Sequence, residues 1–172
     1  MFLRAFKEKS NQKYVNKLLA SRETSVNSKK VVNIGVILHV DEYDNFEGFR
    51  SFFKSLGLNS PKHKIVGFVL DDKFEDSQWE TYFSPKDFGW KGKIGNVELQ
   101  SFLDEEYDVL VSYYKHKHLY LDWMTAASKA NLKVGLTRHD ERLYDLFMDI
   151  EPESFNTFKT EFEKYLNILN KL

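Results

Sequence analysis

Apolar residues recur along this chain at two different spacings. Between Val31 and Val40 the run "VVNIGVILHV" is β-branched or aliphatic at nearly every position, the pattern of a strand buried on both faces of a parallel sheet. "KIVGFVL" (64–70), "YDVLVSYY" (107–114) and "LKVGLT" (132–137) repeat it, with "QWETYF" (78–83) and "LFMDI" (146–150) as shorter candidates. Between these runs the spacing changes to three and four. Phe46, Phe49, Phe52, Phe53 and Leu56 fall on one side of a helix, with Gly57 placed to end it. Asn96 can cap a helix reaching about Leu103, residues 119–131 predict another, and 151–172 closes the chain with Phe155, Phe158, Phe162, Tyr165, Leu166 and Leu169 in one stripe. At the other end, residues 3–20 predict an amphipathic helix with Leu3, Phe6, Tyr14, Leu18 and Leu19 opposite lysines, and "SRETSVNSKK" (21–30) follows as a polar linker.

Strands alternating with helices specify a three-layer, Rossmann-like α/β domain with a mainly parallel sheet. It is expected over residues 31–172, preceded by a basic amphipathic helix and linker over 1–30 that the polar linker predicts to be dispensable for folding. A length of 172 residues, 42% of them hydrophobic and 16% aromatic, suffices for one sizeable core. No apolar run approaches the roughly 20 residues needed to span a bilayer, and "MFLRAFKEKSNQ" lacks the features of a signal peptide, so a soluble, cytoplasmic protein is expected. There is no cysteine, which removes disulfides and thiolate chemistry and leaves His and carboxylates as the available metal ligands. No metal and no cofactor is expected.

Charge is distributed unevenly. Residues 1–30 hold eight Lys/Arg against two Glu, a net +6, while the rest hold 17 against 24, a net −7. Lys7, Lys13 and Lys17 therefore form a basic arm able to meet an anionic partner, or else the solvated side of an ordinary helix.

Catalytic chemistry finds little to work with. Gly35 lies inside the first strand and the turn after it, "DEYDN", has no glycine, which excludes a dinucleotide fingerprint and a P-loop. In open α/β sheets ligands bind beyond the carboxyl ends of the strands, here occupied by Asp41, Glu42, Asp44, Asp71 and Asp72, with Arg138 farther along. Such carboxylates can hold Mg²⁺ through water, or simply cap turns. His116 and His118 would point the same way on an extended segment but have no third ligand nearby, and His139 and Asp140 are neighbours that a strand would point apart. No nucleophile elbow is present. No catalytic residue is assigned.

The most distinctive stretch is "FSPKDFGWKGKIGN" (83–96). Pro85 and three glycines allow a tightly turned loop that Phe83, Phe88 and Trp90 could pin to the domain. Alternatively Trp90 with Lys86, Lys91 and Lys93 offers a stacking, phosphate-neutralising surface. With "EEYDVLVSYY", "SKANLKVGL" and "FEKYLNILNKL", this loop resembles an uncharacterised family of small bacterial α/β proteins over nearly the whole length; the resemblance implies a fold and no mechanism. A weaker resemblance, through "YDVLVSYY" and "SKANLKVGL" with Gly135 and Arg138, is to the N-terminal half of heptosyltransferase-type glycosyltransferases, and it transfers no catalytic residue. Two functional expectations follow. One is a non-catalytic binding or accessory module contacting a larger cytoplasmic protein or ribonucleoprotein assembly through Lys7, Lys13, Lys17, Lys86, Trp90, Lys91 and Lys93. The other is an enzyme, or a relic of one, holding a nucleotide or sugar-phosphate near Asp41, Asp71 and Arg138.

Overall fold

The computed structural model describes residues 1–56, 62–71 and 79–172; Gly57, Asp72 and Gln78 lie outside the described residues. The apolar runs become the strands β1 (Asn33–His39), β2 (Lys62–Phe68), β3 (Thr81–Phe83), β4 (Val109–Tyr113), β5 (Leu132–Gly135) and β6 (Leu146–Phe147). All five pairings are parallel, in the order β3-β2-β1-β4-β5-β6. The chain starts mid-sheet at β1, works outward to β3, then crosses back to lay β4 to β6 on the other side. Strand order thus reverses between β1 and β4, the doubly wound arrangement. The strands are shorter than the apolar runs because Val69, Tyr114 and Leu136 leave the ladder yet remain buried. Burial, rather than strand pairing, sets the length of an apolar run.

Among the described residues five α-helices cover the sheet: α1 (Phe2–Ala20), α2 (Phe46–Ser55), α3 (Val97–Asp104), α4 (Leu119–Ala127) and α5 (Phe155–Ile168). Side chains alternate across the pleat of β1, so Ile34, Val36 and Leu38 join Phe49, Phe53, Phe158 and Phe162 of α2 and α5, while Ile37 joins Leu99, Phe102, Trp123 and Met124 of α3 and α4. Asn96 caps α3 as its sequence position suggests, accepting from the N–H groups of Glu98 and Leu99 at 2.9 and 3.0 Å. Helix α4 stops at Ala127, four residues short of expectation, because Ser128 turns extended with its N–H still bonded to the Met124 carbonyl.

Helix α1 belongs to the second layer. Val15 and Leu19 are buried against the α4 side, and the Tyr14 and Trp123 rings meet edge-on at 5.6 Å. Beyond the helix, Arg22 donates to Asp145 Oδ1 at 2.6 Å and to the Arg142 carbonyl at 2.8 Å, and Asn131 bonds to Asn27 N–H and the Ser25 carbonyl. The inward face therefore differs from the expected stripe: Leu3 and Phe6 are exposed, and the fully buried polar residue on the helix is Asn11. With Val15 and Leu19 covering α4, deletion of the segment is expected to destabilise the domain, unlike the dispensable arm that the polar linker suggests.

Candidate functional site

Two places collect chemistry. At the carboxyl edge, the crevice between β1 and β4 is where an open α/β sheet offers its ligand seat. Here Glu42 fills it. Its carboxylate accepts the backbone N–H groups of Lys115 and His116 at 2.6 and 3.0 Å and lies 2.9 Å from His116 Nδ1. Lys115 Nζ turns away to Asp149 and Glu151. His116 and His118 separate: His118 packs against Phe68 and Tyr120, with its ring 6.2 Å from that of His39, and burial, then the neighbouring His39, holds its pKa below the usual imidazole value. Among the described residues no three His, Asp or Glu groups gather in an arrangement that could hold a metal ion.

The three edge residues singled out from sequence stand in different surroundings. Asp41 is exposed in the turn after β1, Asp71 is exposed beyond β2, and Arg138 lays its guanidinium 4.1 Å over the Phe147 ring in a shallow cavity bordered also by Thr137 and Tyr144. Neither aspartate borders that cavity. His139 finds its carboxylate in Asp122 of α4, at 2.9 and 3.1 Å, rather than in its neighbour Asp140, which caps Arg142 N–H. Asp122 also accepts from the Tyr114 hydroxyl at 3.0 Å, and Tyr114, fully buried, is pushed well above the ordinary phenol pKa by burial. The cluster fixes α4 across the ends of β4 and β5.

The second place is the stretch 83–96. Ser84 and Asp87 cap a short 3-10 turn at Pro85–Asp87, and Asp87 Oδ1 accepts from Asn96 Nδ2 at 2.7 Å, tying the two ends of the loop together. Phe88 and Ile94 pair as an antiparallel bridge, Gly89 N–H donates to the Lys93 carbonyl at 2.8 Å, and Lys93 N–H to the Trp90 carbonyl at 3.0 Å. Between them Lys91 (φ 52) and Gly92 (φ 81) make the left-handed turn of a tight hairpin. Gly92 is required twice, since a Cβ there would also sit 2.5 Å from the Tyr14 ring. Asn11 of α1 grips the first hairpin strand and the turn, donating to the Gly89 carbonyl at 2.8 Å and accepting from Gly92 N–H at 3.4 Å.

The pinning aromatics are Phe83 and Phe88, both 1% exposed, with Phe88 4.8 Å from the Tyr120 and Trp123 rings. Trp90 is not one of them; it is 42% exposed. What the hairpin does with its lysines is to carry them alongside α1. One open groove of about 720 Å³ is lined by Phe6, Lys9, Lys13, Tyr14 and Lys17 of the helix together with Lys91. A second, of about 420 Å³, brings Leu3 and Lys7 to Lys86, Trp90 and Tyr120. Lys93 is exposed at the end of the turn. Among the described residues Lys7, Lys9, Lys13, Lys17, Lys91 and Lys93 form no ion pair. Sequence alone could not join the two groups, because the link is Asn11, a polar residue inside a helix with no local signal.

A family model matches residues 7–169, a span that takes in both grooves' helix and hairpin residues from Lys7 onward. The chain belongs to DUF6913, a family of unknown function. No curated protein and no solved structure matches it significantly. The DUF6913 fold, as this chain presents it, is thus a six-stranded parallel sheet with helices on both faces. No helix among its described residues is long and apolar enough to cross a membrane.

Proposed function

We propose that this DUF6913 chain is a non-catalytic binding module that docks on a larger cytoplasmic partner, a protein or an RNA-containing assembly, through the surface shared by α1 and the 88–94 hairpin. The observation that supports this reading most directly is the meeting of two lysine groups far apart in sequence, on grooves walled by Phe6, Tyr14 and Trp90, with six of those lysines in no ion pair among the described residues. Ammonium groups without a carboxylate partner attract an anionic surface, and exposed rings beside them contribute contact area once water is displaced. Two further features favour the same reading. Lys91 is held at a positive φ that a lysine adopts only at a cost of roughly 1–2 kcal/mol, and the buried Asn11 fixes that turn against the helix. The rival site near Asp41, Asp71 and Arg138 has less behind it, since Glu42 already engages the N–H groups at the switch point and neither aspartate borders the cavity at Arg138.

Affinity purification from the cells that make the protein tests the reading. Changing Lys7, Lys13, Lys17, Lys91 and Lys93 together to Gln is expected to reduce the co-purifying partner at least about tenfold without altering the melting temperature, because exposed charges contribute little to folding. The triple change Asp41→Asn, Asp71→Asn and Arg138→Gln is expected to leave the partner bound. The reverse pattern transfers the function to the carboxyl edge.

A further inference from the structure

Resting on that reading, we infer that the larger groove takes single-stranded nucleic acid, with unpaired bases against Phe6 and Tyr14 and the phosphodiester chain along Lys9, Lys13 and Lys17, with Lys91 on the hairpin contributing a further cation. The inference starts from spacing. Residues 9, 13 and 17 lie four apart on α1, so their ammonium groups are anchored about 6 Å apart along the axis, at 1.5 Å per residue. An extended single strand, released from duplex stacking, spaces successive phosphates by about the same step, so the row can follow neighbouring phosphates along the backbone. Phe6, Ser10 and Tyr14 form the adjoining row at the same four-residue step, which places aromatic faces beside the cations and not among them. Phe6 is 61% exposed, an aromatic face open to stacking, and no carboxylate lines the groove to repel a phosphate.

The same features argue against other anionic partners. A duplex buries its base faces and has nothing to stack on Phe6. A helix lying in a membrane surface turns one segregated apolar face to the lipid. Here Val15 and Leu19 face the protein interior, while Phe6 and Tyr14 line a recess flanked by lysines. An acidic peptide would satisfy the cations but gain little from the rings.

Fluorescence anisotropy with labelled 12-mers of oligo(U) and oligo(dT), a 12-bp RNA duplex, a poly-glutamate peptide and phosphatidylserine vesicles separates these partners, using the full chain throughout. Either single strand is expected to bind, with a log–log salt slope near about −2.8 for four neutralised phosphates. The Lys9→Gln, Lys13→Gln, Lys17→Gln variant should flatten the slope to about −0.7, the value for Lys91 alone. Phe6→Ala should weaken binding about 5- to 100-fold with the slope retained, as expected on losing a stacked base. The oligo(U) and oligo(dT) arms decide between RNA and DNA. Equal affinity for the duplex, an unchanged slope in the lysine variant, or an unaffected Phe6→Ala protein overturns the inference. If peptide or vesicles bind through these lysines and the single strands do not, nucleic acid is ruled out while the docking surface stands. If no probe depends on the lysines, the nucleic-acid inference falls, and the docking reading is decided by the co-purification of the five-lysine variant.

Discussion

The two faces of the sheet are filled by different means. Against α2 and α5 the filling is mostly rings and aliphatic side chains: Phe49 meets Phe155 at 4.8 Å, Phe158 meets Tyr113 at 4.9 Å and Phe162 at 5.3 Å, and the Tyr113 hydroxyl donates to the Pro152 carbonyl at 2.7 Å. Against α1, α3 and α4 rings are accompanied by Asn11, Ser112, Asp122, Thr125 and Lys133, each buried and hydrogen-bonded: Asn11 to the Gly89 carbonyl, Ser112 to Thr125, Asp122 to Tyr114 and Lys133 to the Thr125 carbonyl. Packing rings tolerate small shifts, whereas a buried amide or carboxylate accepts one geometry and penalises the rest. Both faces therefore bury apolar bulk that stabilises the fold, and the second adds polar groups that fix position. It is the positioned face that carries the α1–hairpin surface.

The largest test of this contrast falls on the aromatic side. Phe158→Ala and Phe162→Ala, each removing a fully buried ring, should cost about 3–5 kcal/mol in chemical denaturation, with partner binding unchanged wherever the protein still folds. A loss below about 1 kcal/mol would mean that α5 does not depend on this stack.

Next comes Lys133, whose Nζ donates to the Thr125 and Ala126 carbonyls at the end of α4 and whose pKa is lowered to about 8, first by burial and then by nearby Arg22, with Asp145 opposing. Between pH 8 and 10.5 the unfolded chain keeps a proton that the folded chain releases, so this residue's contribution to stability rises with pH across that window. The difference in unfolding free energy between wild type and Lys133→Met should climb by about 2 kcal/mol from pH 8 to pH 10, at 1.36 kcal/mol per unit. Comparison with the variant removes the opposing effect of Tyr107, Tyr113 and Tyr144, whose phenols burial raises and whose ionisation favours unfolding at still higher pH. A flat difference would show Lys133 charged throughout.

Asn11→Ala is expected to cost about 1–3 kcal/mol, because it leaves the Gly89 carbonyl without its partner, and also to weaken binding at the grooves. A variant that loses stability alone would separate the positioned face from the surface. Smallest of all should be Trp90→Ala, at under about 1 kcal/mol for a ring 42% exposed, against about 3–5 kcal/mol for Phe88→Ala two residues earlier. Equal losses at the two positions would make Trp90 a second pin.

The same division explains what the sequence disclosed. The strands and the stripes of α2 and α5 were legible because burial on one or both sides of an element leaves a local period. The cap at Asn96 and the turn glycine at Gly92 were legible because one backbone geometry demands few residue types. Asn11 with Gly89, Arg22 with Asp145, Asp122 with His139, and Glu42 with the N–H groups of Lys115 and His116 were not, since each pair lies from 17 to 123 residues apart and nothing near either member marks its partner. For the candidate surface, the lysines and Trp90 could be named in advance. The grooves that Phe6 and Tyr14 share with them could not.

Glu42 has a consequence for how such a fold could acquire or lose a ligand. The two N–H groups it engages belong to the loop after β4, and the carboxylate reaches them from the loop after β1. A free phosphate arriving there would compete with an acceptor carried on the same chain, whose effective concentration is on the order of millimolar or higher. The chain thus satisfies these N–H groups from within, and a single change such as Glu42→Gly would release them without touching the sheet that frames them.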